Sequence, residues 1–141
     1  MPQDGYRKPI PSPSPETQRY WDACKKHELW LPFCRDCQSF YFYPRDFCPN
    51  CFGWDTEWRQ SAGRGKIYSF AIQHRAWHPG WAGEEPYITA LVELDEGPRI
   101  FTNIVGVEPD PATVRCDMPV EVVFEDISEE ISLPKFRPVT A

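Results

Sequence analysis

Apolar and polar residues alternate along most of the chain after residue 66, and that alternation predicts strands. Lys66 to His74 sets Tyr68, Phe70, Ile72 and His74 on one side, and Pro86 to Asp95 sets Ile88, Ala90, Val92 and Leu94 together. Arg99 to Val107 follows a Glu96-Gly97-Pro98 turn, while Met118 to Glu125 and Ile131 to Val139 flank an acidic turn at Asp126 to Glu130. Five such strands without helices between them suit a small closed barrel of the oligonucleotide/oligosaccharide-binding (OB) type, with an open sandwich as the alternative.

Upstream, the pattern changes. Residues 1–15 form a proline-rich stretch with no apolar run, which predicts an extended tail or lid. Ser14-Pro15 reads as an N-cap with proline at the first helical position and opens a helix over about 16–28, with Tyr20, Trp21 and Cys24 as a thin stripe. That stripe either packs on the chain's own ribbon or docks on a partner. Leu29 to Phe33 alternates into a first Cys-x-x-Cys turn, Ser39 to Pro44 reads as one extended strand, and Phe52 to Gln60 leaves a second Cys-x-x-Cys turn. The three segments predict a three-stranded ribbon. The small residues Ser61 to Gly65 mark a sharp turn and a module boundary, giving 1–15 as tail, 16–62 as helix and ribbon, and 63–141 as barrel.

Cys34-Arg35-Asp36-Cys37 and Cys48-Pro49-Asn50-Cys51 supply four thiolates from two knuckles, the donor set and spacing of a tetrahedral zinc site. Four protein ligands leave no position for water or substrate, so the ion is structural. An iron centre on the same thiolates and disulfides are the rival readings. The disulfide reading loses ground because no apolar core of a signal peptide stands at the N-terminus, which places the chain in a reducing, cytoplasmic setting. Cys24 and Cys116 stand outside the cluster and read as buried small apolar residues.

At 141 residues the chain predicts about one domain, and 16 prolines with 15% aromatic residues favour short strands and turns. No stretch of about 18 apolar residues is present to span a membrane. The net charge of −6 is unevenly placed: residues 1–66 carry ten Lys/Arg against eight Asp/Glu, and residues 67–141 carry five against thirteen. An acidic barrel half argues against nucleic acid. His27, His74 and His78 show no metal-site or nucleophile spacing, and no phosphate loop, dinucleotide fingerprint or Gly-x-Ser-x-Gly elbow occurs, so no catalytic residue is assigned. The loop from Arg75 to Glu85 holds Trp77 and Trp81, which either fold back on the barrel or line a groove or interface. Arg64 and Lys66 are candidates to meet a phosphate.

Taken together, the two cysteine knuckles, Tyr43-Pro44-Arg45, Gly63 to Phe70, Pro86-Tyr87, Asn103-Ile104-Val105 and Phe136-Arg137-Pro138 resemble the acyl-CoA-associated zinc-ribbon/OB-fold proteins over roughly 16–138. The resemblance implies a mostly β fold: an N-terminal helix, a rubredoxin-like zinc ribbon and a C-terminal five-stranded OB-fold barrel. It also implies one structural zinc and a non-catalytic accessory subunit that forms a hetero-oligomer with a thiolase-like enzyme, which carries the catalytic residues. A stand-alone acyl-CoA-binding module is the alternative. Under the first reading Arg64, Lys66, Arg75, Trp77 and Trp81 are candidates for CoA, and Tyr20, Trp21, Trp77 and Trp81 for the partner interface. One departure is Arg115-Cys116-Asp117-Met118, in a turn where that family has glycine.

Overall fold

The structure is a computed structural model that describes residues 5–139, so the first four residues of the predicted tail and the last two of the chain lie outside it. The chain runs α1 (Gln18–Lys25), β1 (Trp30–Cys34), β2 (Ser39–Phe40), β3 (Thr56–Gln60), β4 (Arg64–Gln73), β5 (Tyr87–Leu94), β6 (Arg99–Ile104), β7 (Pro119–Asp126) and β8 (Ser132–Pro138). Strands β1 to β3 form an antiparallel sheet in the order β2-β1-β3, and β4 to β8 close a barrel in the order β4-β5-β6-β8-β7. The mostly β fold, the ribbon and the closed five-stranded barrel are as the alternation implied, and the open sandwich is excluded.

Helix α1 is shorter than predicted. Ser14 does not cap it; the Ser14 backbone N–H donates to Thr17 Oγ1 at 2.8 Å in a turn that precedes the helix, and the Glu16 carboxylate accepts from the Asp46 backbone N–H at 3.2 Å. At the other end His27 takes a left-handed φ of 62°, which breaks the helix, while the N–H groups of Lys26 and Glu28 return to the Ala23 carbonyl. The helix lies against β1 and β8.

One apolar core runs through helix, ribbon and barrel. Tyr20, Trp21 and Cys24 from α1, with Leu29 and Leu31 from the ribbon, pack in the same cluster as Ile67, Ile88, Val92, Ile100 and Phe136 of the barrel. Inward positions on β5 are Ile88, Ala90, Val92 and Leu94, as the alternation predicted. Strand β4 differs. A bulge between Ile67 and Ser69 turns Tyr68 outward, where the Arg99 guanidinium covers its ring at 3.7 Å, and Ile67 takes the buried position. The spacer strand ends at Phe40 instead of continuing to Pro44.

The predicted junction turn also resolves more finely. Gly63 carries a φ of +73°, and a side chain on it would meet Val122. Gly65 already belongs to β4, where a Cβ would lie 2.3 Å from the Glu93 carbonyl oxygen, so only glycine lets β4 approach β5 there. Ser61 Oγ and the Ala62 N–H both donate to the Glu96 carboxylate at 2.8 Å, tying the ribbon exit to the β5–β6 turn.

The turn before β7 explains the departure at 115–118. Asp117 holds a φ of 68°, the region that costs a side-chain-bearing residue free energy and suits glycine. Its N–H still donates to the Ile67 carbonyl at 2.7 Å, so the turn must keep that backbone. Asp117→Gly is expected to raise stability by about 0.5–1 kcal/mol in urea unfolding at unchanged m-value, less what the freer unfolded chain gains in entropy. A loss of stability would show that the Asp117 carboxylate, 3.8 Å from Lys66 Nζ, outweighs the backbone strain.

Candidate functional site

The four knuckle cysteines converge. Their sulfurs all lie within 4.8 Å of one another. Cys34 and Cys51 sulfurs are 3.7 Å apart and those of Cys37 and Cys48 3.9 Å, too far for a disulfide. They match the roughly 3.8 Å edge of a tetrahedron whose centre lies about 2.3 Å from each sulfur. Each knuckle also turns backbone donors toward sulfur: Cys37 N–H to Cys34 at 3.3 Å, Asn50 N–H to Cys48 and Gly53 N–H to Cys51 at 3.4 Å. Such donors stabilise thiolate. At Cys48 burial opposes ionisation, yet the backbone N–H groups of Cys51 and Asn50 bring its pKa down to about 7. The donor set therefore fits one zinc ion, which supplies cross-linking and no open coordination position.

Of the remaining cysteines, Cys24 is fully buried and burial pushes its pKa up to about 12, as a core residue requires. Cys116 is exposed in the turn before β7, against the expectation that it is buried.

The second region is the β4–β5 loop. Its two tryptophans part company. Trp81 ends a short 3₁₀ turn, Pro79–Trp81, whose N–H at Gly80 is accepted by His78 Nδ1 at 2.9 Å. The Trp81 ring stacks on Tyr87 with centroids 4.5 Å apart and carries Lys8 Nζ 4.2 Å above it. Lys8 in turn pairs with Glu84 at 2.7 Å, and the backbone at Arg7 passes so close to Gly80 that a Cβ there would be 2.6 Å from a carbonyl oxygen. The predicted tail or lid is thus laid down on this loop at Arg7 and Lys8. Trp77, by contrast, is 74% exposed, with the Arg75 guanidinium 4.9 Å from its ring.

Beside Trp81 a cavity of about 350 Å³ opens between the ribbon and the outer wall of β5, β6 and β8, lined among others by Trp21, Tyr43, Phe101, Leu133 and Lys135. A neighbouring cavity of about 270 Å³ shares Trp81, Asn103 and Lys135 with it. Lys135 is buried and pairs with Glu125 at 2.5 Å. Phe101 and Lys135 carry no motif in the sequence, and Asn103 enters there only within Asn103-Ile104-Val105, with no site role. An exposed aromatic in an alternating strand is one legible cue to Phe101; the cavity itself comes from ribbon and barrel meeting.

Two predicted groupings need correction. Tyr20 and Trp21 are buried in the chain's own core, and Trp21 Nε1 donates to the Tyr43 hydroxyl at 2.9 Å, so the helix stripe is not a free partner surface. The CoA candidates also separate: Arg64 and Lys66 begin β4, whereas Arg75, Trp77 and Trp81 follow its end. Lys66 and Gln73 alone are roughly 20 Å apart at strand rise, so the two groups cannot hold one phosphate cluster.

The helix end is clasped to the barrel. Lys25 Nζ donates to the Ser128 carbonyl at 2.7 Å, and His27 Nε2 lies 2.9 Å from Asp126 Oδ1 while its ring stacks on Phe124. Hydrogen bonds from Ser132 and His27 hold the Asp126 pKa down at about 2. No helix among the described residues is long and apolar enough to cross a membrane.

Two family models match consecutive stretches of the chain: the rubredoxin-like zinc ribbon domain of ChsH2 over residues 21–57 and the C-terminal OB-fold domain of ChsH2 over residues 58–125. The chain is 37% identical over 133 residues to a probable enoyl-CoA hydratase alpha subunit of Thermomonospora curvata, covering 93% of this chain but 40% of that protein. It is 34% identical over 97 residues to the benzoylsuccinyl-CoA thiolase subunit BbsA of Thauera aromatica, covering 68% of this chain and 62% of BbsA. The solved structure of an Ltp2-ChsH2(DUF35) aldolase contains a chain that superposes with a TM-score of 0.79 at 36% identity, covering 92% of this chain and 98% of that one.

Proposed function

The chain belongs to the ChsH2 (DUF35) family of zinc-ribbon and OB-fold proteins, and from that premise we propose that it is the non-catalytic partner subunit of a thiolase-like acyl-CoA enzyme that makes or breaks a carbon–carbon bond. The chain spans about two fifths of the length of the hydratase alpha subunit it matches. A thiolase subunit and an aldolase partner among the relatives support the reading.

The observation that carries it is Trp77. A tryptophan 74% exposed, on a loop pinned by His78 and by Lys8 of the tail, leaves most of its apolar surface open, with the Arg75 guanidinium 4.9 Å from its ring. Such anchors stand at the centre of stable interfaces. Arg75 beside it and the cavity under Trp81 would then face the partner's substrate channel and help hold the CoA portion of an acyl-CoA at a shared site. Lys66, at the far end of β4, lies 3.8 Å from the Asp117 carboxylate, and Arg64 stands two residues before it on the same strand.

Purification of the tagged chain from its native cells is expected to recover a thiolase-like polypeptide in stoichiometric amount. Trp77→Ala should weaken that association about 30-fold, as loss of an interface anchor worth about 2 kcal/mol does, and leave zinc content and unfolding unchanged. Acyl-CoA titrated into the isolated chain and into the complex should bind the complex alone. Tight binding to the isolated chain would instead favour a stand-alone acyl-CoA module, and turnover by the chain alone would overturn the proposal.

A further inference from the structure

We infer that the tip of the zinc ribbon, formed by Phe47, Phe52 and Trp54, is a second docking point, and that it seats in an apolar socket rimmed by lysine or arginine on the thiolase-like partner. The inference rests on the partner-subunit reading. It begins from the backbone at Phe52. The residue after each second knuckle cysteine must turn left-handed for the chain to leave the knuckle, and Gln38 and Phe52 do so with φ of 54° and 62°. That conformation suits glycine or asparagine and strains a bulky side chain. Gln38 recovers a partner, since its amide donates to the Arg35 carbonyl. Phe52 recovers little: it is 69% exposed, and its ring centroid is 6.3 Å from that of Phe47.

Trp54, 70% exposed, also neighbours Phe47, with ring centroids 5.5 Å apart. The three rings do not enter the shared core. Two large rings so exposed present on the order of 300 Å² of apolar surface. A stable interface takes about 800 Å² from each side, so the tip can supply an anchor but not a whole contact.

Charge indicates what covers it. From Cys34 to Gln60 the ribbon carries four acidic side chains against three basic ones. Arg35 is committed to Asp55 at 2.5 Å and Glu57 at 3.2 Å, and Arg59 to Glu57 at 2.6 Å, which leaves Asp36 and Asp46 against Arg45. Asp36 lies over the second knuckle, its carboxylate oxygen 3.0 Å from where a Cβ on Gly53 would stand. Four thiolates around a divalent ion add further negative charge. An aromatic tip in an acidic setting is complemented by an apolar socket with a basic rim.

The test uses the full zinc-loaded chain and the purified Ltp2 polypeptide of the solved aldolase as probe. Phe52→Gly removes both ring and strain, so zinc retention and the thermal midpoint should hold or rise while the Kd for Ltp2 rises about tenfold or more. Trp54→Ala should weaken association similarly, and wild-type binding should weaken as salt is raised from about 0.05 to 0.5 M. A Phe52→Gly chain that melts lower would show that the ring serves the ribbon, and a Kd within about twofold of wild type would show that nothing docks there. Either result overturns the docking tip and leaves the partner reading standing; failure of the wild-type chain to bind Ltp2, with no thiolase-like polypeptide recovered from its native cells, overturns both.

Discussion

Stripping the metal with a chelator, or replacing Cys34 with Ser, is expected to cost the chain its barrel as well as its ribbon. Read from the alternation alone, residues 66–139 carry a core of their own and should survive loss of the ribbon. The packing argues otherwise. Strand β1 ends in the ligand Cys34, and the same segment delivers Leu29 and Leu31, both buried, into the cluster that holds Ile67, Val92 and Phe136. Without zinc the knuckles cannot hold β1 in register with β3, and those side chains leave the core with it. Structural zinc in small modules contributes about 10–16 kcal/mol of apparent binding energy, comparable with the whole stability of a domain this size. Zinc release followed with a colorimetric chelator should therefore coincide with loss of far-ultraviolet ellipticity and with a shift in tryptophan emission, in one transition. A barrel that keeps its melting transition after zinc has gone would show that the shared core is dispensable.

What the sequence could reveal divides along physical lines. The cysteine spacing carried the metal site because four donors on two knuckles have few other uses, and the strict alternation on β5 carried the barrel wall because each inward residue is buried. The alternation groups Tyr68 with Phe70 and Ile72 because a bulge shifts the period by one residue and leaves no mark in the sequence. The helix was overextended because Ser14 resembles a cap, yet its backbone N–H bonds the Thr17 hydroxyl in a turn ahead of the helix. Trp77 and Trp81 are indistinguishable as letters in one loop. What separates them is Tyr87 at the start of β5, on which the Trp81 ring stacks, together with Lys8 from the tail. Phe52 is a different case: its strain is visible only once the knuckle backbone is known, although two knuckles of equal length could have pointed to the equivalence of Gln38 and Phe52.

Tyr20→Ala is expected to destabilise the chain by about 3–5 kcal/mol, the range for deleting a large buried aromatic side chain, and so to act through folding instead of through a partner. Tyr20 is 2% exposed. Its ring meets Trp21 edge-on at 4.9 Å, Phe42 at 5.5 Å and Tyr43 at 5.8 Å, which fixes α1 to the ribbon. Burial, with the Cys24 thiol one helical turn on, holds its hydroxyl pKa well above the usual tyrosine value, so the phenol stays neutral throughout the folded range. Tyr20→Phe keeps every ring contact and removes only the hydroxyl beside the Cys24 thiol, for an expected cost of about 1 kcal/mol. Trp77→Ala, at the exposed loop, should change stability by less than about 0.5 kcal/mol. The order Tyr20→Ala, Tyr20→Phe, Trp77→Ala in urea midpoint, at a common m-value, therefore separates a core aromatic from a docking one. If Tyr20→Ala unfolds at the wild-type midpoint yet loses the partner, the thin stripe of α1 is an interface after all, and the packing of the helix onto the ribbon and barrel is not the arrangement the chain adopts in the complex.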